Sequence, residues 1–235
     1  MAHVLVSTRL SLHGIAELVL AGPQFRRSNT IELRATAGGF GTVAEPDLRV
    51  EGVELVVRRG HLAGAGIDGD AWADEDAWAR GDDRFEDGEL RLALTGTFAE
   101  LAEAAGVEAS PLDDVYSGGP GLRPDQPITV DAAAAARIAD AFAIGDEALR
   151  ALVPGPRPIL WPEHFDIGIT EDEVNYGVSP GDDFLAVPYA YVGPWKLEPS
   201  DLWNAPFGAA RPLTDLPDAG AVLAFFQEIR THLHR

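Results

Sequence analysis

The stretch Phe165–Val192, FDIGITEDEVNYGVSPGDDFLAVPYAYV, is the clearest indication of fold class in this chain. Its alternation of apolar and polar residues predicts strands at Phe165–Thr170, Val174–Val178 and Phe184–Val192. Short turns separate these strands. The second turn, Ser179–Asp182, has proline and glycine at its two central positions, as a type II turn requires. Three strands joined by tight turns predict an antiparallel meander.

Outward from this meander, strand patterns and helix patterns occur in blocks. Further strands are predicted at Thr30–Thr36, where the following GGFGT ends the strand, at Leu48–Val57, as a hairpin or one bulged strand, and at Glu89–Thr95. Helices are predicted at about Thr8–Ala21 with a stop at Gly22-Pro23, at Thr97–Gly106 with a capping box, across 129–153 with a break at Gly145-Asp146, and at about Asp218–His232. Strands followed by helices, twice over, predict an α+β fold with mainly antiparallel sheet and packing helices.

The chain is expected to form a single intertwined domain of residues 1–235. An N-terminal helix with strands occupies 7–106, a connector rich in proline and glycine occupies 110–128, and helices with the meander occupy 129–235. Between His61 and Gly88 the pattern is acidic and rich in glycine, which predicts a long loop with a solvated surface. Its acidic residues do not follow the spacing of a calcium-binding EF-hand loop.

Composition limits the classes of function. The chain has 235 residues, 46% of them hydrophobic, and no cysteine, so thiolate metal sites and thiol nucleophiles are excluded. A net charge of −20, with Lys196 as the single lysine, disfavours nucleic-acid binding. Arg9, His13 and Glu17 interrupt the apolar N-terminus at helical spacing, so neither a signal peptide nor a membrane span is expected. We expect a cytoplasmic protein.

The segment Leu160–Ile169, LWPEHFDIGI, contains the candidate catalytic residues. If it is a regular strand, His164 and Asp166 share one face, while Trp161, Glu163 and Phe165 share the other. If Pro162 disturbs this alternation, Glu163 turns to join the pair. A histidine and an aspartate at this spacing are typical of a divalent-metal site or of an oriented general base. A metal site needs a third ligand, and hydrogen bonding of both side chains to neighbouring groups is the structural alternative.

Polar and aromatic side chains recur on the neighbouring strands of the predicted meander. Adjacent strands lie about 4.8 Å apart, so these side chains are expected to line one concavity, which suits a flat or polar ligand. A plain sheet core is the alternative. The predicted ligand-binding residues are Trp161, His164, Asp166, Asn175, Tyr176, Tyr189 and Tyr191.

Sequence motifs of nucleotide-dependent enzymes, serine hydrolases and zinc proteases are not found in the chain. In the blocks LHGIAELVLAGPQFRRSNTIELRATAGGFGT and LWPEHFDIGI, VNYGVSPGDDF and PYAYVGPW, the chain resembles an uncharacterised family of actinobacterial-type hypothetical proteins. More distantly, it resembles a domain-of-unknown-function family with a C-terminal Phe-Asp segment and a tyrosine-rich strand. The resemblance implies that both blocks belong to one fold and that Asp166 belongs to the shared pattern. It implies no activity.

Three functions are consistent with these residues. The first is binding of a small polar or aromatic ligand in a pocket built from 161–195. The second is a metal-assisted hydrolase or lyase that uses His164 and Asp166, with Glu163 as general base and a divalent metal as its one candidate cofactor. The third is a non-enzymatic interaction protein with Trp72 and Trp78 as contacts. A homo-oligomer is compatible with all three.

Overall fold

The structure, a computed structural model, describes residues 2–58, 85–86 and 88–233. The predicted loop at 61–88, except for its last few residues, lies outside the described residues, as do Trp72 and Trp78.

Eleven strands form one antiparallel sheet within the described part of the chain. Its order is β11-β10-β9-β8-β7-β1-β2-β3-β4-β6-β5. The strands are β1 Leu33–Thr36, β2 Gly39–Thr42, β3 Leu48–Glu51, β4 Glu54–Arg58, β5 Phe85–Glu86, β6 Glu89–Ala93, β7 Ile159–Trp161, β8 Asp166–Glu171, β9 Val174–Ser179, β10 Tyr189–Pro194 and β11 Ala209–Pro212.

The sheet joins two meanders edge to edge. Strands β1 to β6 form one, except that β4 pairs with β6 and the two-residue β5 lies at the edge. Strands β7 to β11 form the other, and the two meet where Leu33 of β1 pairs with Leu160 of β7. With the helices described below, this architecture confirms the predicted α+β fold. The predicted meander is present as β8, β9 and β10, although β10 begins at Tyr189 rather than at Phe184.

The first strand ends at Thr36, before GGFGT, as predicted, but Gly39–Thr42 then forms a further strand, β2, that was not predicted. Its glycines lie against β3 at very short range. A Cβ atom on Gly39 would lie 2.2 Å from the carbonyl oxygen of Val50, and one on Gly41 would lie 2.8 Å from Cβ of Arg49. Glycine at these positions therefore permits close pairing of β2 with β3.

Five α-helices and one π-helical segment accompany the sheet in the described residues. They are α1 Ala2–Gly14, the π-helix Ile15–Ala21, α2 Gly22–Ser28, α3 Phe98–Ala104, α4 Ala132–Leu152 and α5 Ala219–Leu233. The capping box predicted at Thr97 and Glu100 is confirmed at the start of α3.

The first helix continues through Gly22-Pro23, where a stop was predicted. In the π-helical register, the NH of Gly22 bonds to the carbonyl of Glu17 five residues earlier. Pro23 has no NH to offer the carbonyl of Leu18, and this carbonyl accepts from the backbone NH of Ser110 instead, at 2.8 Å. A partner remote in sequence thus replaces the missing donor. The helix ends at Asn29 in a left-handed conformation.

Residues His3–Ser28 are long and apolar enough to cross a membrane by length and composition, contrary to the sequence-based expectation. In the structure, 72% of the most apolar 18-residue window is buried against the rest of the protein. Burial of that extent is typical of a core helix.

Helix α4 is continuous, so the predicted break at Gly145-Asp146 is wrong. A Cβ atom on Gly145 would lie 2.7 Å from Cγ2 of Ile167 and 2.9 Å from Cβ of Val178. The glycine therefore allows α4 to approach β8 and β9 closely. Because α4 also packs against β1 and β2, it spans the joint between the two meanders. The face of the sheet opposite α4 is here called the outer face.

Candidate functional site

The segment Leu160–Ile169 is a β-hairpin rather than one strand. Strand β7 ends at Trp161, residues 162–165 turn, and β8 begins at Asp166, which pairs with Trp161. Phe165 has a left-handed backbone with φ of 52°, which is rare for a bulky residue. This conformation puts the Phe165 ring in the core and Asp166 on the outer face. The predicted alternation through the segment is therefore wrong.

Because of this turn, the two predicted catalytic side chains lie in different environments. The side chain of His164 is 65% exposed, and its nearest charged partner is Glu163, at 3.9 Å. Asp166 is 7% exposed. Both residues line the same cleft, but one at its rim and the other buried in its wall.

From Asp166 onward, regular alternation puts the predicted polar and aromatic residues on the outer face. Tyr191 of β10 pairs with Gly177 of β9, which pairs with Gly168 of β8. A Cβ atom on Gly177 would lie 2.5 Å from Cζ of Tyr191, and one on Gly168 would lie 3.3 Å from its hydroxyl. The two glycines therefore leave the space in which the Tyr191 ring lies flat across the sheet and reaches Asp166.

Asp166 and Tyr191 form a buried hydrogen-bonded pair. The Tyr191 hydroxyl donates to Oδ2 of Asp166. Burial raises the pKa of Asp166 above its ordinary value, against the opposing effect of this hydrogen bond, and burial also raises the pKa of Tyr191. Oδ1 of Asp166 is buried without a hydrogen-bond partner in the described protein. The pair therefore retains one unused polar atom and favours the protonated carboxyl.

Helix α1 supplies two cleft residues, Arg9 and His13, that the sequence analysis did not assign to the site. Nε2 of His13 donates to the carbonyl oxygen of Pro162 in the β7–β8 turn, at 2.7 Å. The imidazole also stacks on Phe165, with ring centroids 5.2 Å apart. Burial lowers the pKa of His13 to about 4, so the imidazole is neutral at physiological pH. His13 thus fixes the helix against the turn that carries Asp166.

Arg9 is 8% exposed, and Nη1 is buried without a hydrogen-bond partner. It lies against the connection between β9 and β10, where a Cβ atom on Gly181 would come within 2.7 Å of Nη1. Desolvation lowers the pKa of Arg9, while the charges of Asp182 and Asp183 raise it. Within the described residues, no carboxylate lies close enough to Arg9 to form an ion pair. A buried guanidinium without a direct partner is unusual.

The carboxylate of Asp182 has the largest effect of any charge on the pKa of Arg9, but it already accepts hydrogen bonds from other groups. Its Oδ1 accepts from the backbone NH groups of Phe184 and Leu185, at 2.9 and 3.0 Å, and its Oδ2 accepts from the Tyr189 hydroxyl at 2.5 Å. These bonds shape the turn before β10. They also explain why Asp182 affects Arg9 through its charge but does not bind it.

Four aromatic rings form one wall of the cleft, here called the aromatic wall. Phe207, from the β10–β11 connection, lies 6.5 Å from Tyr189 and 6.0 Å from Tyr191, and Phe184 lies 5.2 Å from Phe207. Trp195, at the mouth, is 66% exposed. Of the seven large apolar side chains exposed in the described residues, four line this cleft: Leu10, Phe184, Trp195 and Leu197.

The cleft has a volume of about 910 Å³. Of the seven predicted ligand-binding residues, it brings together five, namely His164, Asp166, Asn175, Tyr189 and Tyr191, and it also includes Glu163. Tyr176 lies on the helix side, 2% exposed, with its ring 5.7 Å from Phe226. Trp161 is on the outer face opposite Asp166 but does not line the cleft.

The connector at 110–128 contributes to the rim of the cleft through residues 118–120. Beside it, the Tyr116 hydroxyl donates to Oε2 of Glu17 at 2.9 Å. A Cβ atom on Gly119 would lie 2.3 Å from the same Glu17 oxygen. The connector therefore packs closely on the first helix.

No group of three histidine, aspartate or glutamate side chains in the described residues is arranged to hold a metal ion. A second depression, of about 960 Å³, lies between α2 and α3. Its Arg26 donates to the carbonyl oxygen of Glu108 at 2.7 Å and also approaches the Glu108 carboxylate. The unpartnered polar atoms thus favour the first cleft as the candidate site. Comparisons with known protein families, with curated proteins and with solved structures give no match.

Proposed function

We propose that this cleft binds a small organic molecule that has an aromatic body and a polar group. The observation that carries the proposal is the position of two buried polar atoms, Nη1 of Arg9 and Oδ1 of Asp166. Three buried side-chain atoms in the described residues have no hydrogen-bond partner, and these two belong to residues of the same cleft. Because most buried polar groups in proteins are paired, such a concentration is typical of a binding site.

The size and lining of the cleft support a small ligand. Its volume falls within the range of small-molecule sites, about 300 to 1,000 Å³. The aromatic wall offers ring faces and edges to a flat molecule, and the exposed apolar side chains at the mouth extend this surface. A ligand ring at the wall would place its polar substituent near Arg9 or Asp166.

Ligand-observed NMR with a library of neutral and charged aromatic fragments tests this proposal. Fragments are expected to bind the wild-type protein and to lose affinity about tenfold in Phe207→Ala, because Phe207 belongs to the aromatic wall. Phe207 is a half-buried loop residue, so its truncation leaves the sheet intact. The matched control is Val115→Ala, an exposed apolar side chain that does not line the cleft, and it should bind as the wild type does.

Two results would overturn the proposal. One is a library in which no aromatic fragment binds the folded wild-type protein. The other is binding that Phe207→Ala leaves unchanged while Val115→Ala weakens it, since the fragments would then occupy a different surface.

A further inference from the structure

We propose that the ligand is an aromatic monocarboxylate and that Arg9 binds its carboxylate group. The inference rests on the proposed function and specifies the chemical class of the ligand. It follows from the hydrogen-bonding groups that the cleft leaves unused, from the charges around them and from the position of Arg9 beside the aromatic wall.

The unused groups of Arg9 are hydrogen-bond donors. A guanidinium has five NH donors and no acceptor, and none of the described side chains accepts from Arg9. Both oxygens of Asp182 are bound by other groups. A carboxylate matches the planar fork of a guanidinium and can accept two parallel hydrogen bonds from it. The ligand group that best completes Arg9 is therefore an oxygen anion.

Asp166 favours the same kind of ligand group. Its Oδ2 accepts from Tyr191, so a proton on the carboxyl resides on Oδ1, the atom without a partner. In that form Oδ1–H is a donor that an oxygen acceptor satisfies. In this protonated form, Asp166 calls for the same acceptor on the ligand as Arg9 does.

The charge around the cleft limits the ligand to one negative charge. Arg9 is the one arginine or lysine among the described lining residues, whereas Glu163, Asp182 and Asp183 contribute carboxylates to the same lining. A monocarboxylate matches the single guanidinium. A phosphate monoester carries nearly two charges at neutral pH and would be repelled by the surrounding carboxylates.

Arg9 and the aromatic wall line one cleft, which indicates a compact molecule. Tyr189 belongs to the wall, and its hydroxyl donates to Asp182, the residue after Gly181, beside which Nη1 of Arg9 lies. A carboxylate at Arg9 therefore lies next to a ring packed on Tyr189 or Phe207. Simple aromatic acids have this arrangement.

The test compares aromatic ligands that carry different polar groups. Affinities for 4-hydroxybenzoate, its amide, its methyl ester and phenyl phosphate are measured by NMR titration of the wild-type protein. The acid is expected to bind at least about tenfold more tightly than the amide and the ester, as hydrogen bonds to a charged group imply. Phenyl phosphate is expected to bind more weakly than the acid.

Variants of Arg9 then assign the selectivity. Arg9→Met should reduce the affinity for the acid to that for the amide, without a comparable change for the amide. Arg9→Lys, which keeps the charge but not the fork, should retain part of the preference. Arg26→Met, a paired arginine of the second depression, is the control and should leave all four affinities unchanged. If Arg9→Met does not fold, the wild-type selectivity tests the carboxylate and Arg9→Lys tests the role of Arg9.

The outcomes separate the inference from the proposed function. Amide or ester binding as strong as that of the acid overturns the carboxylate assignment and leaves the aromatic-binding cleft in place. The tightest binding by phenyl phosphate also overturns the assignment. Failure of all four compounds, together with a failed fragment library, overturns both.

Discussion

The outer face of the sheet uses its charged residues in two different ways. On β3, β4 and β6, here called the paired face, Arg49 lies 2.6 Å from both Glu51 and Glu89, and Arg91 lies 2.9 Å from Glu51 and 3.1 Å from Glu54. On β8 to β10, Asp166 is paired only through one oxygen, and Arg9 approaches from the helix without a direct partner.

This contrast indicates where the fold retains binding capacity. On the paired face, mutual hydrogen bonds lower the pKa of Glu51 and Glu89 and raise the pKa of Arg91, so every charge is stabilised by a neighbour. In the cleft, desolvation is the largest influence on the pKa values of Arg9, His13 and Asp166, and it opposes their charged forms. A protein gains stability from the first arrangement, and the second is typical of functional sites.

We expect the strongest effect on folding stability from the protonation of His13 in acid. Its folded pKa, about 4, lies below the ordinary value of 6.5, so the unfolded chain binds the proton first. Stability is therefore present above pH 6.5 and is lost as pH falls towards 4, by about 3 kcal/mol in total. His13→Gln keeps a donor for Pro162 but does not titrate. The free energy of unfolding of the wild type, measured by urea titration, should fall more steeply than that of His13→Gln over this range.

The control for His13 is His164→Gln, at the exposed imidazole of the same cleft. This variant retains the buried His13 and should therefore still lose stability in acid. Equal slopes for the wild type and His13→Gln would contradict the burial of a neutral imidazole, and with it the contrast between the two faces.

The second prediction concerns the glycine beneath Tyr191. Gly177→Ala introduces a Cβ atom about 2.5 Å from the Tyr191 ring, so the ring must move. The expected loss is about 2 kcal/mol, as for other overpacked positions. In a Tyr191→Leu background the crowding atoms are gone, and the same substitution should cost clearly less. A double-mutant cycle with urea unfolding measures this coupling. Additive losses would show that Tyr191 does not lie across Gly177.

Much of the fold followed from local patterns in the sequence. The meander of β8 to β10 was predictable because strand alternation and turn residues act within a few positions. The start of α3 was predictable because a capping box spans only four residues. The continuation of the first helix through Pro23 was not predictable, because the NH group that replaces the missing donor belongs to Ser110, far along the chain. The uninterrupted α4 was missed because Gly145 serves a contact with the sheet.

The candidate site was predictable to the extent that it lies on neighbouring strands. Tyr189, Tyr191 and Asp166 line one cleft, as predicted. They could be predicted because side chains alternate regularly along the strands from Asp166 onward. Arg9 and His13 were missed as site residues, although their spacing of four on an apolar helix was a visible signal that both share one polar stripe. What sequence does not reveal is that this stripe meets the end of the sheet, since that is a tertiary contact.

The smallest effects give the sharpest contrast between the faces, because matched substitutions should have opposite signs. Asp166→Asn keeps an acceptor for Tyr191 and removes the cost of burying an ionisable carboxyl, so we expect a gain of about 1 kcal/mol at neutral pH. Glu89→Gln removes the charge that Arg49 binds at 2.6 Å, so we expect a loss of about 1 kcal/mol.

The pH dependence of these two effects follows from the direction of each shift. The folded pKa of Asp166 is raised above 3.8, so the folded carboxyl holds its proton after the unfolded one has lost it. The gain from Asp166→Asn should therefore grow as pH rises through the folded pKa. The folded pKa of Glu89 is lowered, so the loss from Glu89→Gln should be fully present above 4.5 and shrink in acid. Urea titrations of both variants across pH measure the signs, and a loss for Asp166→Asn at neutral pH would mean that its carboxylate is paired as fully as those of the paired face.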